Sequence, residues 1–287
     1  MKTYNRHWKK FCEFTSMYSL SPIPASGLTV LQFIAYLHSK SLSPATIRGY
    51  LTSVSFFHKI QNFPDPSACF LIRRALIGLK KTVQTRSKLS PITKPLLDST
   101  LRALSSVTKN LYTLILLRAL FSFTYHACLR AGEVVLSSNP RNVILLSQVQ
   151  PLKTGGTTHF TISFKNYKHS RPDRHTPKMI LSPNGNFNCP VNLLQKYLTI
   201  RGNIPGPLFV DEKGLPLTRR FFSQYLKKSL SFIGPPHKKY NTHSLRIGRV
   251  TDLKLNGLDE ETIKTTGRWN TNAFMNYIRP YFFALPR

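Results

Sequence analysis

Residues 110–128 (NLYTLILLRALFSFTYHAC) carry apolar side chains around the whole helical circumference. A helix with no polar face to turn to water belongs at the centre of a domain, with other elements wrapped around it. The chain around it reads as mostly helical. Helices are expected at 96–106, 190–201, 218–232, 243–256 and 259–266, with a short last one around 271–278. Two strands, 157–166 (TTHFTISFKN) and 175–182 (HTPKMILS), are joined by the basic turn KNYKHSRPDR. No uninterrupted apolar run approaches the ~18 residues a membrane span needs, and no signal-peptide pattern opens the chain, so no membrane partner is expected.

Upstream, 28–40 reads as a helix, and Ser43-Pro44 supplies a cap and first-turn proline for the next. There Ile47, Tyr50, Leu51, Val54 and Phe57 form one apolar stripe. The chain breaks from Asn62 to Pro66. Residues 67–81 then turn Ile72, Ala75, Leu76 and Leu79 inward and Arg73, Arg74, Lys80 and Lys81 outward. Polar, basic, proline-punctuated 84–95 (QTRSKLSPITKP) has the character of a linker. The expectation is a small all-helical domain over 1–83, a linker over 84–95, and a mainly helical domain with a small β-sheet over 96–287.

The charge narrows the partner. The chain has 41 Lys+Arg against 11 Asp+Glu, a formal net charge of +30, yet 41% hydrophobic residues, enough for a real core. Residues 1–90 hold 13 basic and 2 acidic residues and the remainder 28 and 9, so both parts are basic. Such a field attracts polyanions, and nucleic acid fits it better than an acidic membrane surface does. Cys12, Cys69, Cys128 and Cys189 are scattered with no C-x-x-C pair, which suits thiols without catalytic work in a reducing compartment.

Four segments carry candidate chemistry. Arg130, in Leu-Arg-Ala-Gly-Glu, leaves the apolar helix and needs an anion; a local pair with Glu133 would satisfy it as well as a substrate would. His243 and Arg246, at i and i+3, share a helix face and could clamp a phosphate, although His-x-x-Arg also occurs at solvated helix starts. Gly267-Arg268-Trp269 precedes Tyr277 by a short interval. That tyrosine is either core or a nucleophile, and a phenol of pKa about 10 becomes a useful nucleophile only among cations. The turn with Lys165, Lys168, His169, Arg171 and Arg174 either touches a DNA backbone non-specifically or brings one lysine to a leaving oxygen.

In chain order these segments resemble the tyrosine recombinases, the family of phage integrases, Cre and the Xer proteins. The pattern is Arg, Lys on a β-turn, His-x-x-Arg, His or Trp, then Tyr. The matching residues are Arg130 in LRAGE, Lys168 in NYKHS, His243 and Arg246 in HSLR, Trp269 in GRW and Tyr277 in MNYIR. The strings KHS, THSLRIG and GRWNTNAFMNYIR are most similar to recombinases of eukaryotic mobile elements of the Crypton, DIRS and Ngaro kind, and the likeness continues upstream through ATIRGYLTSVSFFHK and FPDP. Two departures stand out: Trp269 precedes Tyr277 by eight positions, where Cre and the bacterial enzymes usually have nine, and only ten residues follow Tyr277.

The resemblance implies a core-binding domain and a catalytic domain that close on duplex DNA as a clamp. Tyr277 would form a 3′-phosphotyrosine, with Arg130 and Arg246 on the non-bridging oxygens and His243 assisting deprotonation. Trp269 would donate its indole N–H, Lys168 would protonate the 5′-oxygen, and Glu133 would buttress the site. Arg48, Arg73, Arg74, Lys80, Lys81, Lys165, Arg171 and Arg174 would contact DNA. It further implies neither metal nor cofactor, four protomers on two DNA sites, and work in the nucleus. A type IB topoisomerase, and a mobile-element DNA-binding protein with an idle site, are the alternatives.

Overall fold

A computed structural model of the chain describes residues 1–82, 89–137, 140–165 and 176–279. The chain divides into two units, Met1–Arg86 and Ser87–Arg287.

In the first unit, helices α1 (Lys2–Met17), α2 (Gly27–Ser39), α3 (Pro44–Ile60) and α4 (Phe70–Thr82) enclose one core. The capping expected of Ser43 is present: its hydroxyl accepts the Thr46 N–H at 3.2 Å, with Pro44 in the first turn. Ser26 starts α2 in the same way, accepting the Thr29 N–H at 3.0 Å. Ile47, Leu51, Val54 and Ile72 are buried, while Arg73, Arg74, Lys80 and Lys81 stand exposed on α4. Helix α1 went unread in the sequence. It contributes Phe11 and Phe14 to the core and lays Trp8 on Phe57 at 4.7 Å between ring centroids.

The second unit is built around α6 (Leu111–His126), flanked by α5 (Lys94–Val107), α8 (Pro190–Arg201), α9 (Arg219–Ile233) and α10 (His243–Leu255). Residues 116, 117 and 119–125 of α6 are all buried, as an all-round apolar helix requires. One antiparallel sheet of order β1–β2–β3 comprises β1 (Val149–Thr154), β2 (Thr157–Ser163) and β3 (Lys178–Leu181). Strands β2 and β3 are shorter than expected, and β1 is additional. Thr154 pairs with Thr157 across Gly155-Gly156, whose φ values of 55° and 77° suit a two-residue hairpin turn. Two short helices, α7 (Ala131–Val134) and α11 (Glu260–Gly267), frame the site described below.

The linker reading of 84–95 ran too far. The Ser90 N–H donates to the Lys239 carbonyl and the Ile92 N–H to that of Ser244, each at 2.9 Å, and the Ile92 side chain is fully buried. The Lys94 N–H donates to Asp252 Oδ2 at 2.6 Å. This stretch therefore runs against α10 as part of the second unit. The contact is close because Gly248 has no side chain: a Cβ there would lie 1.7 Å from the Ile92 carbonyl oxygen. The last predicted helix, 271–278, is a 3-10 helix over Asn272–Tyr277. Among the described residues, no helix is long and apolar enough to cross a membrane.

Candidate active site

The C-terminal end of α6 organises the site. Just past its end, the carbonyls of Ala127 and Cys128 lie at the negative end of the helix dipole and accept hydrogen bonds from buried guanidinium groups. Cys128 takes the left-handed conformation (φ 50°), and its carbonyl accepts a hydrogen bond from Arg246 Nη1. Arg246 Nη2 donates to the Gly267 carbonyl at 2.7 Å. The Arg246 guanidinium is fully buried, 4.0 Å from the Trp269 ring centroid and 5.5 Å from that of Tyr277. Its Nε has no partner among the described residues. Two backbone carbonyls thus fix the cation and leave donor capacity unspent.

Two residues beyond Cys128, Arg130 stands at the start of α7, and its guanidinium donates to Glu133 Oε1 at 3.2 Å. The local pair anticipated from the sequence exists, but Glu133 does more. Its Oε2 accepts the Arg130 backbone N–H and Arg268 Nη2, each at 2.9 Å. Arg130 keeps 19% side-chain exposure, whereas Glu133 and Arg268 keep 4% each, so Arg130 is the arm of this cluster that reaches solvent.

Arg268, the arginine of Gly-Arg-Trp, belongs to the site as well, although its local sequence assigns it no role. It closes α11 in the left-handed conformation (φ 57°, ψ 47°), and its side chain is buried. Nη1 donates to the Ala127 carbonyl at 3.4 Å, and the guanidinium lies 3.8 Å from the Phe164 ring centroid. The next residue, Trp269, packs its ring on Gly267, where a Cβ would come within 1.3 Å of Cζ3. Glycine is therefore required at that position.

Tyr277 ends the 3-10 helix and is half-buried, its ring 5.1 Å from that of His243 and 5.0 Å from that of Trp269. Arg279, a second missed residue, holds the chain beyond it: Nε donates to the Leu89 carbonyl at 3.0 Å and Nη1 to that of Asn276 at 2.8 Å. His243 starts α10, its N–H donating to Asn241 Oδ1 at 2.7 Å. Burial, then the charges of Arg246, Arg130, Arg219 and Arg279, push its pKa down to about 4. The imidazole is therefore neutral near pH 7.

The structure thus brings Arg130, Glu133, His243, Arg246, Trp269 and Tyr277 together from segments far apart in the chain. Lys168, Arg171 and Arg174 lie outside the described residues. Lys165 is exposed, directly after the buried Phe164. Arg48, Arg73, Arg74, Lys80 and Lys81 are exposed on helices of the first unit. Among the described residues, no cluster of three or more His, Cys, Asp or Glu side chains could hold a metal ion.

No protein-family model matches the sequence, and no curated protein does. Solved structures do. A XerH site-specific recombinase in a post-cleavage complex with palindromic difH substrate superposes with a TM-score of 0.70 at 19% identity, covering 98% of this chain and 76% of that one. XerH in a pre-cleavage complex gives a TM-score of 0.68 at 16% identity, covering 99% and 78%. The Tn1549 transposon integrase bound to transposon right end DNA gives 0.59 at 17% identity, covering 93% and 84%. The chain has the tyrosine recombinase fold.

Proposed function

We propose that this chain is a site-specific recombinase that breaks and rejoins duplex DNA through a 3′-phosphotyrosine on Tyr277. The observation that carries the reading is the surroundings of Tyr277: a neutral imidazole and an indole flank its ring, and a buried, incompletely satisfied guanidinium lies 5.5 Å from its centroid. A purely structural tyrosine has no need of such neighbours.

In the proposed reaction, the Tyr277 oxygen attacks the scissile phosphorus as its proton passes to His243. The bond to the 5′-oxygen breaks, and Lys168 protonates that oxygen. Arg130 and Arg246 stabilise the charge on the non-bridging oxygens, the type of preorganised electrostatic help that dominates many phosphoryl transfers. Attack of a 5′-hydroxyl on the phosphotyrosine reverses the step, so the bond energy is retained and no nucleotide is consumed. Glu133 holds Arg130 in place. The similarity of GRWNTNAFMNYIR to the recombinases of eukaryotic mobile elements leads us to include transposition, action in the nucleus and a tetramer on two DNA sites in the proposal.

The test is covalent capture. Fragmented genomic DNA from the source, nicked and incubated with the chain in EDTA, should yield SDS-resistant protein–DNA adducts whose sequenced ends share one site. Binding without adducts would favour the reading as a DNA-binding protein with an idle site.

A further inference from the structure

Glu133 raises an electrostatic question for any anion-binding role of Arg130. A carboxylate 3.2 Å from that guanidinium cancels its charge, most severely because Glu133 is itself buried, where attraction between opposite charges is least screened. With Glu133 as its only neighbour, Arg130 would belong to a neutral pair and have little attraction left for a phosphate.

We infer that Arg268 is a positioning residue whose task is to neutralise Glu133, so that Arg130 is held in place without losing its charge toward the substrate. The geometry divides the carboxylate between the two arginines. Oε1 takes Arg130, and Oε2 takes Arg268 at 2.9 Å together with the Arg130 backbone N–H. The cluster contains two cations and one anion. Its surplus positive charge lies at the member with solvent access, because Arg268 is sealed off against Ala127 and Phe164. Arg268 cannot reach the substrate side itself without leaving both partners. Its hydrogen bonds to Glu133 and to the Ala127 carbonyl, with Phe164 against its guanidinium, hold it facing inward.

The inference rests on the proposed role of Arg130 as the phosphate arm, but its test needs no DNA cleavage. Inorganic phosphate is titrated against the folded chain and the rise in melting temperature is measured. Subtracting the rise seen in Arg130→Ala isolates this site from the rest of the basic surface. Arg268→Met keeps an apolar side chain against Phe164 while removing the charge, and its rise should drop to that of Arg130→Ala. Adding Glu133→Gln to Arg268→Met removes the opposing charge and should recover at least half of the parental difference. Apparent phosphate affinity should fall about tenfold or more in the single variant, the usual scale for a lost charge-assisted contact. If Arg268 is merely a structural brace, the double variant will respond as weakly as Arg268→Met, and the inference is overturned. It is equally overturned if Arg268→Met responds like the parent, or if Arg130→Ala does. Should Arg268→Met fail to fold, Glu133→Gln alone decides: charge neutralisation requires a stronger phosphate response than the parent's, and a brace requires a weaker one. Adduct formation at Tyr277 is measured separately, so a failure here and a failure of the recombinase reading can be told apart.

Discussion

A histidine surrounded by arginines gives up its proton readily, and two histidines of the second unit titrate low. His243 is held at about 4 by burial and four guanidinium groups, and His126 at about 4 chiefly by burial. In the unfolded chain both return to about 6.5, so between those values the unfolded state binds more protons than the folded one. Stability should therefore fall as pH drops from about 6.5 toward 4 and level off below. Denaturant melts across that range should show a shallower slope in His126→Gln and in His243→Gln; slopes equal to the parent's would mean that neither residue is buried neutral. At the same scale, Lys168 and Lys165 compete for the role of general acid. Lys165 directly follows Phe164, which Arg268 covers, whereas Lys168, three positions later in the sequence, occupies the KHS string. Lys168→Ala should lose about 10²–10⁴-fold in cleavage and regain it on a substrate with sulfur at the bridging 5′ position, since a thiolate leaves without a proton. Rescue of Lys165→Ala instead would exchange the two roles.

Among the elements, α10 is constrained on two sides, with His243 and Arg246 facing the site and Gly248 against the 89–93 stretch. The obstacle to a side chain at Gly248 is a backbone carbonyl that cannot swing away. Gly248→Ala should therefore destabilise the chain by about 3 kcal/mol, the upper end for overpacking, as read from the denaturation midpoint. A loss below about 0.5 kcal/mol would mean that the stretch is loosely held. Helix α3 lies where its apolar stripe and its cap put it, α6 where an all-round apolar run puts it, and α2 and α10 within a residue of their expected bounds. Helix α1 was missed although its spacing was legible: Trp8, Phe11 and Thr15 fall at i, i+3 and i+7, with Lys9, Lys10 and Glu13 between them, as on any amphipathic helix. Strand β1 was missed because five of its six residues are exposed and Pro151 interrupts it, leaving no alternation to read. Arg268 was missed for a different reason. In a chain so rich in arginine, nothing local marks the one that turns inward; its partner Glu133 is 135 positions away.

For the whole molecule, a net charge of +30 spread over both parts of the sequence makes long-range attraction to DNA the first event in any encounter. Neutralising many phosphates releases condensed counterions, so log affinity against log salt should fall with a slope steeper than about −3. A shallower slope would mean few backbone contacts and would argue against a protein that holds a duplex with both of its units. Charge explains attraction, whereas the proposed chemistry depends on a single oxygen. Adducts captured on nicked DNA should be digested with trypsin and nuclease, and the nucleotide-bearing peptide identified by mass spectrometry, in the parent and in Tyr277→Phe. A phosphotyrosine at Tyr277 is expected in the parent, and no adduct in Tyr277→Phe at undiminished DNA affinity. A modified peptide centred on another tyrosine, or an adduct that persists in Tyr277→Phe, would contradict it.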